Sequence, residues 1–230
     1  MSMEKGQLSI HTENFLPIIK KWLYSDRDIF IRELISNCCD AVAKRRMVGQ
    51  IPDDYQPRVT VRVDKEHRIL SFTDNGVGMT AEEVRKYINQ VAFSGANDFM
   101  EKYKDSGEQI IGHFGLGFYS AFMVADKVRI DTLSCLPDAK AVCWESDGSV
   151  EYTMEETERE EVGTTVTLYL NNESDEFLDG NTVKSTIRKY CSFMPTPIYC
   201  EVAVVYLLFC TVITKLQALL ERRLNAHGFQ

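Results

Sequence analysis

Hydrophobic and polar residues follow two periods along the chain, one of them helical and the other extended. Between Asp28 and Met47 the apolar side chains recur at every third or fourth position, which predicts an amphipathic helix. Its apolar stripe comprises Ile31, Leu34, Ile35, Cys38, Ala41 and Val42. The segment "RVTVRV" alternates strictly, and "RILSFT" follows it after the turn-like "DKEH". These two segments predict a β-hairpin.

Helical patterns return after the hairpin. The segment "AEEVRKYINQVA" predicts a helix capped by Thr80, because Glu83 follows three residues later as in a capping box. Residues 94–112 are polar and punctuated by glycines, which predicts a mobile segment with glycine pivots. Another helix is predicted at "FYSAFMVA".

The rest of the pattern is mainly extended. Strands are predicted at "KVRIDTL", "AVCWES" and "TTVTLYL", with an acidic loop, "MEETEREE", before the last of them. A final helix is predicted at "TVKSTIRKYCSF". Strands interleaved with helices, without an internal repeat, favour an α+β fold built as a two-layer sandwich.

Composition narrows the class of protein. A length of 230 residues suits one large domain, or one domain with an appendage. The net charge of -8 argues against broad nucleic-acid binding, which needs a basic surface. Seven cysteines without a CxxC pair, and an N-terminus without a secretory signal, favour a reduced, cytoplasmic protein. No stretch reaches the ~20 apolar residues that a membrane span requires.

A row of polar side chains lies opposite the apolar stripe of the first helix. It consists of Glu33, Asn37, Asp40 and Lys44. The simpler interpretation is a solvated face, as on any amphipathic helix. The alternative is a polar pocket in which the Asn37 oxygen binds a hard cation while Glu33 activates a water molecule.

A second candidate is "FTDNGVGMT", where Asp74 ends an apolar strand and two glycines follow at alternate positions. Glycines let the backbone turn sharply and let a flat ligand approach closely. A carboxylate at this position could accept a hydrogen bond from an exocyclic amino group such as that of adenine. The alternative is an ordinary turn, because Asp-Asn-Gly is common in hairpins.

A third candidate is "GHFGLGFYSAF", in which Gly112, Gly115 and Gly117 lead into a predicted helix. Free backbone N–H groups at a helix N-terminus favour phosphate binding. The spacing fits neither a P-loop nor a dinucleotide-binding fingerprint. His113 within the run is interpreted as a surface or packing residue rather than a ligand.

Taken in order, "ELISNCCDA", "DNGVGM", "GHFGLGF" and "GTTVTL" resemble the ATP-binding fold shared by gyrase B, sensor histidine kinases, mismatch-repair MutL and the heat-shock protein 90 chaperones. The resemblance is closest to the bacterial form of these chaperones, high-temperature protein G, which "FIRELISN", "IIGHFGLGFYSAFMVADKV" and "RKYCSF" also resemble. It covers roughly residues 5–200. It implies an α+β sandwich with helices on one face of a twisted, mostly antiparallel sheet.

The resemblance also implies roles for individual residues in binding Mg-ATP or ADP. Glu33 matches the general base that activates the attacking water, and Asn37 matches the residue that holds Mg²⁺ against the phosphates. Asp74 matches the carboxylate that recognises the adenine amino group, assisted by Gly78 and, through ordered water, by Thr164.

The remaining matches line the edges of the implied nucleotide site. Met79 would pack along the adenine base, and residues 94–112 match a lid over bound ATP. Asp40 and Lys44 match positions at the pocket edge. The phosphate-cradling loop is matched by Gly112, Gly115, Gly117 and Phe118.

Two stretches depart from the family. Phe93 in "VAFSG" stands where many members have a lysine before the Ser-Gly of the lid, so no cationic contact is carried over there. Residues 201–230 do not resemble the acidic linker and middle domain expected next. They are interpreted either as a helix or extension irrelevant to activity, or as a partner-binding helix. Residues 1–200 are thus the predicted nucleotide-binding domain.

The implied function is ATP binding and slow hydrolysis within an ATP-dependent chaperone. In the family a middle-domain arginine completes the site, so the isolated domain is expected to hydrolyse ATP weakly and to be monomeric. Client proteins, and co-chaperones, would bind through the full-length protein, with no nucleic acid or membrane partner.

Two alternative functions stay open. One is a nucleotide-switched binding module without turnover. The other is a histidine kinase catalytic domain, which would need a phospho-accepting histidine upstream, where His11 alone is found.

Overall fold

The computed structural model describes residues 26–48, 51–89, 117–149 and 151–202, together with residues 214, 215 and 217. Several of the sequence-based predictions fall on other parts of the chain. Outside the described residues lie His11, Phe93, the predicted lid at residues 94–112, Gly112, His113, Gly115 and residues 203–213.

One seven-stranded sheet forms the framework, with the strand order β5-β4-β3-β6-β2-β1-β7. Every neighbouring pair is antiparallel except β1 with β7, which is parallel. The strands are β1 (Val59–Asp64), β2 (Ile69–Asp74), β3 (Ala125–Leu133), β4 (Ala141–Ser146), β5 (Thr153–Thr157), β6 (Gly163–Leu170) and β7 (Ile198–Val202). The predicted α+β fold with a mostly antiparallel sheet is confirmed.

Helices cover one face of this sheet. The α-helices are α1 (Ile29–Val48), α2 (Ala81–Tyr87) and α3 (Gly180–Cys191), and the 3-10 helices are Gly117–Met123 and Asp175–Leu178. Helix α1 packs on β1 and β2, while α3 packs on α1 and β7. None of the helices in the described ranges is long and apolar enough to cross a bilayer.

The core lies between α1 and the central strands. Phe30 of α1 packs edge-on against Phe72 of β2, with ring centroids 6.3 Å apart, and against Phe177 at 4.9 Å. Because successive strand residues point to opposite faces, Asp74 shares the helix-covered face with Phe72. Strand β2, which contributes to the core, therefore also places Asp74 on the helix-covered face of the sheet.

Several predicted elements are confirmed. Helix α1 agrees with the predicted span from Asp28 to Met47 within one residue at each end, and β1 and β2 form the predicted hairpin. The capping box is present, since the Glu83 N–H donates to Thr80 Oγ1 at 3.2 Å and the Thr80 N–H donates to Glu83 Oε2 at 2.8 Å.

Other predictions need correction. The segment "FYSAFMVA" forms a 3-10 helix that ends at Met123, and β3 begins at Ala125. The predicted acidic loop, residues 154–161, is wrong over its first four residues, which belong to β5 and pair with β4. Helix α2 ends at Tyr87, earlier than predicted. Strand β7 was not predicted at all.

Candidate functional site

The polar side of α1 meets the end of β2. The Val77 N–H donates to the Ala41 carbonyl of α1 at 2.9 Å. A Cβ on Gly76 would lie 2.4 Å from the Ala41 carbonyl carbon, so only glycine allows the turn to approach the helix this closely. This contact holds the turn after Asp74 against α1.

Asp74 is a buried carboxylate at this junction, with only 5% of its surface exposed. It accepts hydrogen bonds from the Gly76 N–H at 2.8 Å, from the Thr164 backbone and from the Cys38 thiol. Burial raises the pKa of Asp74 to about 6, although these hydrogen bonds and the positive charge of Arg159 oppose the rise. At neutral pH it is therefore an ionised acceptor in an apolar setting.

Two threonines join Asp74 to the turn that follows it. Thr132 Oγ1 lies 2.9 Å from Thr164 Oγ1 and accepts the Met79 N–H at 2.9 Å. Thr164 is the cross-strand partner of Asp74. Met79 and Thr164 are thereby held beside the carboxylate.

Gly78 adopts a conformation that favours glycine. Its φ is +65°, and a Cβ would lie 1.9 Å from the Leu133 carbonyl oxygen. Asp74, Gly78, Met79 and Thr164, which the resemblance assigns to adenine binding, thus lie together.

A second group gathers where the 3-10 helix at Gly117 begins. A Cβ on Gly117 would lie 2.6 Å from Glu33 Oε2, so the glycine leaves room for this carboxylate. The other carboxylate oxygen of Glu33, Oε1, accepts hydrogen bonds from Arg32 Nη2 at 2.5 Å and from Arg32 Nε at 3.1 Å. Phe118 is buried in the core beside them. Glu33, Gly117 and Phe118 are therefore close, while Gly112 and Gly115 lie outside the described residues.

The polar row of α1 has unequal exposure. Asn37 is exposed, one turn after Glu33, whereas Asp40 is buried. Burial lowers the pKa of Lys44, and the negative charges of Asp40 and Glu83 oppose that change. A fully solvated face does not describe this row, because Asp40 is buried and Lys44 is half-buried.

Three residues near Asp74 escaped the sequence-based predictions. Cys38 was assigned to the apolar stripe, Thr132 to an unremarkable strand and Arg159 to an acidic loop. Each becomes relevant through a partner distant in sequence, because Cys38 contacts Asp74, Thr132 contacts Thr164, and Arg159 is electrostatically coupled to Asp74. The sequence carries no local signal for these pairings.

Two surface clefts in the described part of the chain lie elsewhere. One is lined by residues that include Arg58 and Tyr199, and the other by residues that include Lys140 and Glu158. Neither is lined by Asp74 or Glu33. The candidate site is therefore defined by the side chains gathered at the α1–β2 junction.

Comparison with known proteins finds matches over the part of the chain that contains these site residues. The family model described as "Histidine kinase-, DNA gyrase B-, and HSP90-like ATPase" matches residues 25–172. The chaperone protein htpG of Bacteroides fragilis (strain YCH46) is 50% identical over 198 residues, which is 85% of this chain and 29% of that protein.

More distant relatives have the same printed name. Chaperone protein HtpG of Porphyromonas gingivalis (strain W83) is 48% identical over 199 residues, covering 85% of this chain and 29% of the relative. That of Desulfitobacterium hafniense (strain Y51) is 39% identical over 206 residues, covering 86% and 34%. This chain spans about a third of the length of these relatives. The resemblance read from the sequence is confirmed: the chain belongs to the histidine kinase-, DNA gyrase B- and HSP90-like ATPase family.

Proposed function

We propose that residues 1–200 form the nucleotide-binding domain of an ATP-dependent chaperone, which binds Mg-ATP or ADP and hydrolyses ATP slowly. The observation that carries this proposal is the buried Asp74 carboxylate at the end of β2, beside Gly78, Met79 and Thr164. The HtpG relatives, all called chaperones, support the chaperone assignment.

In the proposed complex, Asp74 accepts a hydrogen bond from the exocyclic amino group of adenine. A charged acceptor in an apolar setting forms a stronger hydrogen bond than a neutral one, which favours adenine over a purine with a carbonyl there. Gly78 lets the flat base approach the backbone, and Met79 packs along it. Thr164, already bonded to Thr132, contributes through ordered water.

The phosphates would extend along α1 toward Gly117. Asn37 is exposed on that side and offers a neutral oxygen, which suits Mg²⁺ because this ion takes most of its ligands from phosphates and water. Gly112, Gly115, Gly117 and Phe118 would form the phosphate loop. Asp40 and Lys44 would lie at the pocket edge.

Hydrolysis would depend on Glu33, which orients the attacking water and accepts its proton. Phosphoryl transfer needs mainly positioning and charge stabilisation. Arg32 binds Oε1 of Glu33, so the water would be bound by Oε2, the oxygen beside Gly117. An arginine from a further domain would complete the site, so residues 1–230 alone are expected to hydrolyse ATP slowly and to be monomeric. Clients and co-chaperones would bind the full-length cytoplasmic protein.

Titration calorimetry with Mg-ADP tests the binding claim. The wild-type protein should bind in the micromolar-to-millimolar range, and Asp74→Asn should bind about tenfold more weakly or worse, because the charged acceptor is lost. Asp64→Asn is the matched control, since Asp64 ends β1 and contacts His67 instead. Absence of wild-type binding would refute the proposal.

The Arg32–Glu33 pair favours a second candidate function, a nucleotide switch without turnover in the isolated domain. Replacing Glu33 by Ala separates the two functions. If Glu33 is the base, turnover disappears while Mg-ADP affinity stays within about threefold. If the residual turnover is unchanged, the isolated domain is a switch.

A further inference from the structure

Arg159 is held in a fixed position in the turn between β5 and β6. Its Nη1 donates to the Asp131 carbonyl at 2.8 Å and to Thr165 Oγ1 at 3.1 Å, and its Nε donates to the Glu161 carbonyl at 2.8 Å. These acceptors are two backbone carbonyls and a hydroxyl. The positive charge of the guanidinium is therefore not neutralised by a carboxylate in these three bonds.

This guanidinium lies behind Asp74, on the other face of the sheet. Thr165 Oγ1, which accepts from Arg159, also lies 3.1 Å from Thr73 Oγ1. Thr73 directly precedes Asp74 in β2, and successive strand residues point to opposite faces. Thr73 and Arg159 are thus on the face opposite α1, while Asp74 points to the helices.

The groups that interact electrostatically with Asp74 come from several elements. They are the thiols of Cys38 and Cys39 on α1, the phenol of Tyr55, and Arg159. A second guanidinium lies close to this group, because Arg45 Nη1 on α1 donates to the carbonyl of Asn75, the residue after Asp74, at 2.6 Å. Among the four groups named above, Arg159 alone carries a positive charge near neutral pH. Its charge lowers the pKa of Asp74, against the rise caused by burial. Burial lowers the pKa of Arg159 in turn, and the negative charges of Asp74, Asp131 and Glu161 oppose this.

We propose that Arg159 is a positioning residue for adenine recognition, which keeps the buried Asp74 carboxylate charged from behind the sheet. This inference rests on the proposed function for its ligand. The coupling between the two side chains can be measured without nucleotide. If it is correct, removing the Arg159 charge makes Asp74 take up a proton nearer to neutral pH, and nucleotide binding becomes weaker there.

The test compares Arg159→Gln, Arg159→Lys and Arg129→Gln with the wild type. Arg129 is the matched control, because it lies on the same face of the sheet but pairs with Asp131 and Glu145. Glutamine keeps an N–H donor for the Asp131 carbonyl, and Arg159→Met is the second neutral variant should Arg159→Gln not fold.

The first readout is the titration of the Asp74 carboxyl in the nucleotide-free protein, followed by carbon-13 NMR. We expect its midpoint to rise by about one pH unit in Arg159→Gln, and to stay near the wild-type value in Arg159→Lys and Arg129→Gln. An unchanged midpoint in Arg159→Gln, or an equal rise in Arg129→Gln, would overturn the proposal.

The second readout is the pH profile of Mg-ADP affinity. The fall in affinity on acidification should begin at a pH about one unit higher in Arg159→Gln, with lysine restoring the wild-type profile. An identical profile in both proteins would overturn the role in adenine recognition. If no protein binds ADP at any pH while the NMR midpoint shifts, the proposed function fails and the charge coupling between Arg159 and Asp74 stands.

Discussion

At the scale of single residues, the most consequential group is the buried carboxylate of Asp74. The protein keeps an ionisable group out of water at the end of β2, where burial is unfavourable for its charged form. Gly76, Thr164 and Cys38 compensate in part by donating hydrogen bonds. Burying this carboxylate lowers the stability of the protein. A role of Asp74 as the acceptor for a ligand would explain why it is buried.

Asp74 should therefore make stability depend on pH. Its pKa rises from 3.8 to about 6 on folding, so between these values the folded state binds more protons than the unfolded state. The contribution of this group to stability is full below about pH 4 and is lost as pH rises through about 6, a change of about 3 kcal/mol. Urea unfolding of wild type and Asp74→Asn measures it.

The predicted result is a free-energy difference between variant and wild type that shifts in favour of the variant by about 2.5 kcal/mol from pH 4 to pH 7. Asparagine does not titrate, so other groups cancel in this difference. A difference that is flat across this range would show that Asp74 titrates normally in the folded protein.

Gly78 provides a test of the backbone geometry after β2. With φ at +65° and Leu133 oxygen 1.9 Å from an added Cβ, Gly78→Ala should destabilise the protein by about 2–4 kcal/mol. Gly180→Ala is the control, because it has no positive φ and the three atoms nearest its added Cβ belong to the Val202 side chain rather than to the backbone. It should cost less than about 1 kcal/mol. Equal losses in the two variants, measured by thermal unfolding, would contradict this explanation.

The site residues that could be predicted from the sequence are those that stand in a recognisable local pattern. Glu33 and Asn37 lie one turn apart on a periodic helix, and Asp74 ends an alternating strand before two glycines. Thr132 and Arg159 could not be found this way. Their contacts depend on the antiparallel register of β3 and β6, which no local pattern specifies.

At the scale of secondary-structure elements, periodicity predicted the elements with a clear apolar face and missed the two short strands at the edges of the sheet. Helix α1 and the β1–β2 hairpin have clear apolar faces, and both were predicted. Strand β5 consists of residues 153–157, "TMEET", which are mostly exposed at the sheet edge, so they resembled a loop. Strand β7 alternates between Ile198 and Cys200, which pack against the core, and the exposed Tyr199 and Glu201. It was missed because it is short and its partner β1 lies far away along the chain.

The capping box of α2 provides a prediction at this scale. Thr80→Ala should lower the free energy of unfolding by about 1 kcal/mol, because the Glu83 N–H loses its side-chain acceptor. Ser185→Ala in α3 is a control, since this hydroxyl is exposed and bonds only within its own helix. Chemical denaturation should find Ser185→Ala close to wild type. If Thr80→Ala has the same free energy of unfolding as the wild type, the cap does not contribute to stability.

At the scale of the whole molecule, truncation tests the proposed boundary of the nucleotide-binding domain. The boundary proposed at residue 200 falls within β7, so it is tested at the end of this strand. Strand β7 ends at Val202 and is the outermost strand of the sheet, where it pairs with β1 over five residues. A chain ending at residue 202 should keep the unfolding temperature and Mg-ADP affinity of the 230-residue protein. A chain ending at residue 197 loses β7 and should unfold at a lower temperature.

Calorimetric unfolding of the three chains gives the comparison. If the chain ending at residue 202 is destabilised as strongly as the one ending at 197, residues beyond 202 belong to the folding unit. The proposed boundary would then be wrong. Equal stability of all three chains would instead show that β7 contributes little.

The central claim is that Asp74, Asn37 and Glu33 surround one adenine nucleotide, and a crystal structure with Mg-ADP tests it most directly. The account predicts the adenine amino group within about 3 Å of an Asp74 carboxylate oxygen, and Mg²⁺ bound to Asn37 and the phosphates. A nucleotide bound elsewhere, or an adenine that does not contact Asp74, would contradict it.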